Sequence, residues 1–249
     1  MALARVHGSE AGASFDILAR FESEDTRSHA EVMAPFARAA LQEAGVRGEE
    51  LDAILTGTGP GPFTGLRAGI VTARALGFAW SVPVYGMMSL TALAERAYQE
   101  RVFAQGGGAG EAEGAELLVA SDARRREVYS ARYRVNAEDY SLVDGPTVGP
   151  ASEILPGGDP SYAYGYGAGL YAETLRELGW DLVETGEGIH PHAEYLLAAA
   201  ARRGLDALSP DTSALYLRDS DAKVPAAMLA RQQKQAARAT AQTVGQREG

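Results

Sequence analysis

Four glycines stand between a predicted buried strand and a predicted helix, and their spacing is the clearest chemical signal in the sequence. They are Gly57, Gly59, Gly61 and Gly65. Backbone amides in such a loop, together with the N-terminus of the next helix, can bind an anion such as a phosphate. A phosphate site here would use Gly59, Gly61 and Thr64.

The same loop also has a purely structural interpretation. It lacks the Gly-Lys-Ser/Thr ending of a P-loop, and it lacks the Gly-x-Gly-x-x-Gly fingerprint with an acidic residue about 20 positions later. Pro60 and Pro62 fix φ, while the glycines allow backbone conformations that are closed to other residues. The motif alone favours a rigid turn over a nucleotide site, and both interpretations stay open.

Candidate catalytic and metal-binding residues are sparse. His190 and His192 form the only close histidine pair, but their spacing specifies no third ligand, so a loop that caps the following helix is favoured over a metal site. Asp122 ends a predicted strand and could act as a general base, although a turn-forming role explains it more simply. No nucleophile stands at a recognisable spacing from His29. The sequence therefore predicts no catalytic residue and no metal site.

The charge balance limits what the chain can bind alone. The sequence has 33 acidic and 23 basic residues, and its formal net charge is -10. A protein that binds nucleic acid alone normally carries a basic patch or an elevated pI. Arg124, Arg125 and Arg126 could contact phosphate, but three solvated arginines on a turn are the more common case. We expect no RNA binding by the isolated chain.

No segment of the sequence predicts a membrane anchor. The longest apolar run, 66–84, is interrupted by Arg67 and Arg74, whereas a membrane span needs roughly 20 mostly apolar residues. The N-terminal residues lack the basic start and apolar core of a signal peptide, and no cysteine is available for a disulfide. We expect a cytoplasmic protein without membrane contact.

The glycine loop lies within a predicted N-terminal α/β lobe, residues 1–104. Its elements follow the order hairpin, helix, strand, helix, strand, helix, which is typical of an α/β lobe. The hairpin strands are predicted at 2–6 and 14–21, the helices at 28–44, at 65–80 and from 89 or 91 to 103, and the later strands at 51–57 and 83–85. Thr26 or Ser28 is predicted to cap the first helix, and Gly45 to end it.

A second α/β lobe is predicted over residues 115–230. Residues 105–114 are rich in glycine and are predicted to be a flexible linker. The second lobe opens with another hairpin, at 116–121 and 127–133, and continues with a loop rich in Pro, Gly and Asp, a strand at 162–166, a helix that ends at 178 and a helix at 193–203. Its C-terminal part could return to lobe one. Residues 231–249 are predicted to be a disordered tail.

The first two predicted helices carry more apolar or small surface than one sheet face requires. Apolar residues cover well over half the circumference of helix 28–44, so one face could bind a partner. Helix 65–80 has small residues at every fourth position, which lets another backbone approach closely. The small residues are Gly65, Gly69, Ala73 and Gly77. This row either packs inside its own lobe or forms an interface.

The glycine motif also carries a family resemblance. Gly57-Thr-Gly-Pro-Gly-Pro-Phe-Thr-Gly-Leu-Arg67, preceded by Leu51-Asp-Ala-Ile54, closely resembles the signature of the TsaB family. Further segments resemble the family in the same order. They are Arg27-Ser-His-Ala-Glu31, Ser89-Leu-Thr-Ala-Leu93, Asp122-Ala-Arg-Arg-Arg-Glu-Val-Tyr129, Gly165-Tyr-Gly-Ala168, Ala214-Leu-Tyr-Leu-Arg218 and Val224-Pro225.

The resemblance implies the actin-like and sugar-kinase-like ATPase fold, with two RNase H-like lobes. It implies a non-catalytic subunit that pairs with TsaD, and with the ATPase TsaE, for formation of N6-threonylcarbamoyladenosine beside the tRNA anticodon. The tRNA would be bound only through the complex, no cofactor is required, and ATP or ADP could sit at the partner interface. Pairing would use the first two helices. The implied contact residues are His29, Met33, Phe36, Ala37, Thr64, Gly65, Arg67, Gly69, Ala73 and Gly77.

One departure from the family pattern concerns the first strand. The family begins with a strand that ends in an Asp-Thr-Ser-like turn, and this sequence begins at what resembles the following strand, so the first strand of lobe one is missing from the pattern. We expect either that translation begins upstream of Met1 or that the first lobe is impaired. Two alternative functions stay open. They are a free-standing ATP-dependent kinase or hydrolase of the same fold, and a homodimer that forms without TsaD.

Overall fold

The computed structural model describes residues 1–23, 29–100, 114–136 and 138–218, without the side chains of residues 29 and 30. Met1–Leu217 form one unit, which contains all the described helices and strands. The predicted caps Thr26 and Ser28, residues 105–113 of the predicted linker and the predicted tail at 231–249 lie outside the described residues. The predicted lobe boundary stays a prediction.

The described part of the chain contains nine strands and six α-helices. In order they are β1 (Ala2–His7), β2 (Ser14–Arg20), α1 (His29–Ala44), β3 (Ile54–Gly57), α2 (Phe63–Trp80), β4 (Val84–Met87), α3 (Leu90–Tyr98), β5 (Glu116–Asp122), β6 (Val128–Val135), β7 (Tyr140–Gly149), β8 (Ser161–Tyr164), α4 (Tyr166–Leu170), α5 (Ala172–Glu177), β9 (Asp181–Leu182) and α6 (Ala193–Arg203). The predicted α/β class is confirmed.

The strands form three sheets. β1 and β2 pair as an antiparallel hairpin, and β3 and β4 pair in parallel. The third sheet has the order β7-β6-β5-β8-β9, in which β5, β8 and β9 run parallel while β6 pairs antiparallel with β5 and β7. Both predicted hairpins are therefore present. The expectation of a further strand ahead of β1 stays a prediction.

Several predicted boundaries are wrong. The segment predicted as a loop rich in Pro, Gly and Asp contains the ten-residue strand β7, whose Gly145-Pro146 dipeptide falls where the pairing register with β6 shifts. A bulge tolerates proline, which cannot donate to the ladder, so the dipeptide does not end the strand. The short strand β9 was not predicted, and the helix predicted to end at 178 consists of α4 and α5. Helix α1 continues through Pro35.

A buried carboxylate ties three elements of the core together. Glu95 of α3 is fully buried, and its two oxygens accept hydrogen bonds from Arg202 of α6 at 2.7 and 2.9 Å. Tyr140 of β7 donates its hydroxyl proton to the same carboxylate at 2.9 Å, and Gln99 donates at 2.7 Å. Burial and the neighbouring carboxylate raise the pKa of Tyr140, so its hydroxyl stays a donor. Arg202 also lies over the Tyr98 ring.

We predict a strongly non-additive response when this ion pair is removed. Glu95→Leu leaves the Arg202 guanidinium without its carboxylate, and Arg202→Leu leaves a buried carboxylate without its cation. Each should lower the free energy of unfolding by about 3–5 kcal/mol. The double variant Glu95→Leu/Arg202→Leu leaves no unpaired charge and should lose much less than the sum. Urea unfolding of the four proteins measures the coupling, and strict additivity would contradict the network.

Candidate functional site

The glycine loop after β3 is closed by hydrogen bonds to its own chain. Thr58 donates its amide proton to the Met87 carbonyl at 2.8 Å, and Gly59 donates to the Ser89 hydroxyl at 3.0 Å. Ser89 in turn donates its amide proton to the Gly59 carbonyl at 2.7 Å. Gly61 faces open space, since an added Cβ would meet nothing within 4 Å. The Gly59 amide, predicted as a nucleotide contact, is therefore already engaged.

A late segment of the chain, residues 209–216, lies against this loop, and we call it the strap. Gly86 of β4 donates its amide proton to the Ser209 carbonyl at 2.9 Å, and Leu215 donates to the Thr58 carbonyl at 2.8 Å. A Cβ on Gly86 would overlap the carbonyl oxygen of Asp211, which passes directly over it. The absence of a side chain at Gly86 is what allows the two backbones to approach so closely.

The strap also holds two arginines of α2 in place. Arg67 donates from Nε to the Tyr216 hydroxyl at 2.6 Å, and Arg74 donates from Nε to the Thr212 hydroxyl at 2.7 Å. The Arg67 guanidinium lies 3.8 Å from the centroid of the Phe63 ring, which itself packs against the Tyr216 ring at 5.3 Å. The first turn of α2 and the end of the strap thus form one aromatic and arginine cluster.

The small-residue row of α2 faces mainly inward, which corrects part of the predicted contact set. Ala73 and Gly77 are buried, and a Cβ on Gly77 would overlap the Val84 side chain of β4 and lie 2.8 Å from the Val82 carbonyl oxygen. Gly69 is half-buried, and a Cβ added to it would have Met33 Cε of α1 as its nearest neighbour, at 3.9 Å. Ala73 and Gly77 therefore pack inside their own chain instead of offering surface to a partner.

The opposite face of α2 exposes large apolar side chains. Phe63 is 55% exposed, Val71 is 64% exposed and Phe78 is 90% exposed. With about 100° between successive residues, these three side chains lie within about 80° of one another and share a stripe with Arg67 and Arg74. We call these five residues the α2 stripe. Exposed apolar side chains arranged in one line are typical of an interaction surface.

Helix α1 packs beside α2 and contributes less exposed apolar surface than expected. Ala37 is buried, and the half-buried Phe36 packs its ring 5.6 Å from that of Phe21, so both are directed largely into their own chain. This corrects Ala37 as a partner contact. Met33 is half-buried at the junction with α2. His29 begins the helix, and its side chain lies outside the described residues.

The remaining predicted contacts lie at the start of α2. Thr64 is exposed and Gly65 is half-buried, so both stay accessible beside Phe63. The predicted contact set does not include Phe63, Val71, Phe78 or Tyr216. The spacing of Phe63, Val71 and Phe78 along one helix face was a usable signal, whereas no pattern connects Tyr216 to a helix 149 positions earlier.

The two close histidines have separate surroundings. His190 packs edge-on against the Tyr166 ring, and burial lowers its pKa, with His192 adding to the effect. His192 instead approaches Glu22, with 3.3 Å between Nδ1 and the carboxylate. Among the described residues no group of three or more His, Asp or Glu side chains is placed to hold a metal ion.

No described helix has the length and apolar character needed to cross a membrane.

We predict that Gly86→Ala displaces the strap. The added methyl group would meet the Asp211 carbonyl oxygen and the Thr58 side chain, so the free energy of unfolding should fall by about 1–3 kcal/mol. Gly61→Ala is the matched control, because its methyl group meets nothing within 4 Å. Urea unfolding measures the loss, and hydrogen exchange at the Leu215 amide reports the strap directly. Unchanged protection of that amide in Gly86→Ala would contradict the close contact.

Known proteins resemble this chain in sequence and fold. The family model described as "TsaD: tRNA N6-adenosine threonylcarbamoyltransferase" matches residues 16–226. An uncharacterised protein of Mycobacterium leprae is 35% identical over 212 residues, which cover 83% of this chain and 49% of that protein. The tRNA threonylcarbamoyladenosine biosynthesis protein TsaB of Escherichia coli is 32% identical over 108 residues, which cover 43% of this chain and 42% of that protein.

A solved structure extends the match to nearly a whole protein. The structure of YeaZ from Pseudomonas aeruginosa has a TM-score of 0.64 and 30% identity, and the match covers 87% of this chain and 99% of YeaZ. By contrast, the chain spans about half the length, or less, of the curated relatives it matches. Because the family model covers most of the sequence and YeaZ is matched almost completely, the chain belongs to the TsaB (YeaZ) family within the TsaD-like superfamily.

Proposed function

We propose that this chain is a non-catalytic subunit that pairs with a TsaD-type transferase for the formation of threonylcarbamoyladenosine in tRNA. The α2 stripe carries the proposal, because Phe63, Val71 and Phe78 are the large apolar side chains that α2 leaves exposed. The E. coli relative bears the name of a tRNA threonylcarbamoyladenosine biosynthesis protein, and the family model bears the name of the transferase. Because this chain is similar both to TsaB and to the transferase family, we propose that it pairs with a transferase of similar fold.

The size and chemistry of the stripe suit a helix-to-helix contact. From Phe63 to Phe78 the helix rises about 22 Å at 1.5 Å per residue, which is enough for about four turns of a partner helix. Removing apolar area from water contributes roughly 25 cal/mol per Å² before the costs of association are subtracted, so a phenylalanine that is 90% exposed is a strong candidate anchor. The two arginines, held by the strap, suit acidic or carbonyl groups on the partner.

We propose that helix α1 also takes part in the contact. It packs against α2 through Met33 and Gly69, on the side of α2 away from the stripe, and its residues Glu31, Ala34 and Arg38 are exposed. Two helices from this chain and two from the partner would then make a four-helix contact. Thr64 and Gly65, both accessible, belong to this proposed interface.

The non-catalytic role is supported by how the glycine loop is used. Its Thr58 and Gly59 amides bond to Met87 and Ser89, and the strap covers the Thr58 carbonyl. A loop whose amides serve its own chain is poorly suited to hold a nucleotide phosphate. We propose that any ATP or ADP binds at the interface with the partner and that TsaE joins the same assembly. The tRNA would be bound by the complex as a whole, in the cytoplasm.

We predict that charge on the α2 stripe abolishes pairing. Val71→Asp/Phe78→Asp should lower the affinity for the TsaD-type partner on the order of 100-fold or more, because a contact of this kind cannot bury two unpaired carboxylates. Both positions are exposed, so the melting temperature should change little. Leu155→Asp/Leu170→Asp is the matched control, since it also adds two carboxylates and both leucines, 58% and 45% exposed, lie outside α1, α2 and the strap. Co-purification and calorimetric titration measure the effect.

Three further results would contradict the proposal or favour an alternative. Pairing that survives in Val71→Asp/Phe78→Asp would show that the partner binds elsewhere. ATP turnover by the isolated chain above background would favour the kinase or hydrolase alternative. Sedimentation of the isolated chain shows whether the stripe also pairs two copies, in which case the same double variant should give a monomer.

A further inference from the structure

The turn between β5 and β6 concentrates positive charge in an acidic chain. Arg124, Arg125 and Arg126 are consecutive and exposed, and no other part of the sequence has three basic residues in a row. The chain as a whole has a net charge of -10. A polyanion that approaches this turn therefore meets a local positive charge on a chain whose net charge is negative.

All three arginines adopt the left-handed backbone conformation. Their φ angles are 59°, 57° and 63°. A residue with a Cβ enters this region at a cost in free energy, which is why glycine or asparagine usually occupies such positions. Three in succession form a costly arrangement, and costly conformations are retained most often where they serve a function.

Hydrogen bonds at the base of the turn hold this conformation. Asp122 accepts the amide proton of Arg124 on its side-chain oxygen at 2.7 Å. Ala123 donates its amide proton to the Glu127 carbonyl at 3.0 Å, and Glu127 donates to the Arg124 carbonyl at 3.0 Å. The backbone is therefore fixed while the three exposed side chains extend from it.

The ion pair at the start of the turn adds little stability to the fold. The Arg124 side chain is 81% exposed and lies 3.0 Å from the Asp122 carboxylate, and surface pairs of this kind contribute little. The three left-handed residues are unfavourable for the isolated chain, and binding of an anion by the exposed guanidinium groups would offset part of that cost.

We propose that this arginine turn contacts the phosphate backbone of the RNA when the chain is in its complex. The inference rests on the proposed function, which supplies a tRNA to the assembly. Arginine suits this role, because its planar guanidinium donates two parallel hydrogen bonds to a phosphate. The turn would orient the RNA rather than bind it alone, since the acidic remainder of the chain keeps the RNA at a distance elsewhere.

The test measures tRNA affinity of the reconstituted complex at several salt concentrations. Removing two phosphate contacts in Arg125→Gln/Arg126→Gln should reduce the slope of log K against log salt by roughly 1.4–1.8, from about 0.7–0.9 per contact, and should weaken binding about tenfold at low salt. Arg47→Gln/Arg176→Gln is the matched control, because it removes the same charge from two exposed positions in a 3-10 helix cap and in α5. The control should leave the slope unchanged.

A second variant separates a role in binding from a role in folding. Arg126→Gly relieves the left-handed conformation, so it should raise the melting temperature while it weakens RNA binding. Co-purification with the transferase is measured first for every variant. If wild type does not pair, the proposed function fails. If pairing is intact but Arg125→Gln/Arg126→Gln binds tRNA like the control, the arginine turn inference is overturned. Loss of pairing in that variant would also overturn it, by showing that the turn binds a protein.

Discussion

The close contact between the strap and the glycine loop determines what the rest of the α2 region can do. At Gly86 the strap backbone passes where a side chain would stand, and the Thr58 carbonyl accepts the amide proton of Leu215. Each hydrogen bond contributes only about 1 kcal/mol net, but their loss would leave buried groups unsatisfied. Because the strap also binds Arg67 and Arg74, its position sets where those side chains stand on α2.

Because of this contact, the glycine loop packs against its own chain, whereas the spacing of its glycines could also indicate a phosphate loop. A glycine-rich turn before a helix is also the pattern of a phosphate loop, and sequence alone does not separate the two. The separating fact is the position of residues 209–216, which bring a carbonyl and an amide to β4 and the loop from more than 120 positions away. Contacts at that sequence distance leave no periodic signal, so the strap was beyond sequence reasoning.

Elements with strong local signals were predictable, and those that depend on tertiary pairing were not. Helix α6 matches its predicted range of 193–203, because its apolar periodicity and the following glycine are local features. Strand β7 was predicted as a loop, because Gly145-Pro146 normally ends a strand and only pairing with β6 sustains it. The same division holds in the site. Arg67 was predicted as a contact residue from the glycine motif, whereas its hydrogen bond to Tyr216 was not predicted.

The division of α2 into two faces explains why small residues and large residues are both needed. Gly77 lets the helix approach Val84 of β4 closely, and that approach buries Ala73 and Ile70 in the same layer. The inner face of α2 is already packed against its own sheet. The fold therefore gains no further stability from Val71 and Phe78, which stay exposed. Large apolar side chains on the outer face then have no intramolecular reason to be there. Phe63, Arg67 and Arg74 contact the strap, so the proposed association depends most on Val71 and Phe78, which are exposed on the same face.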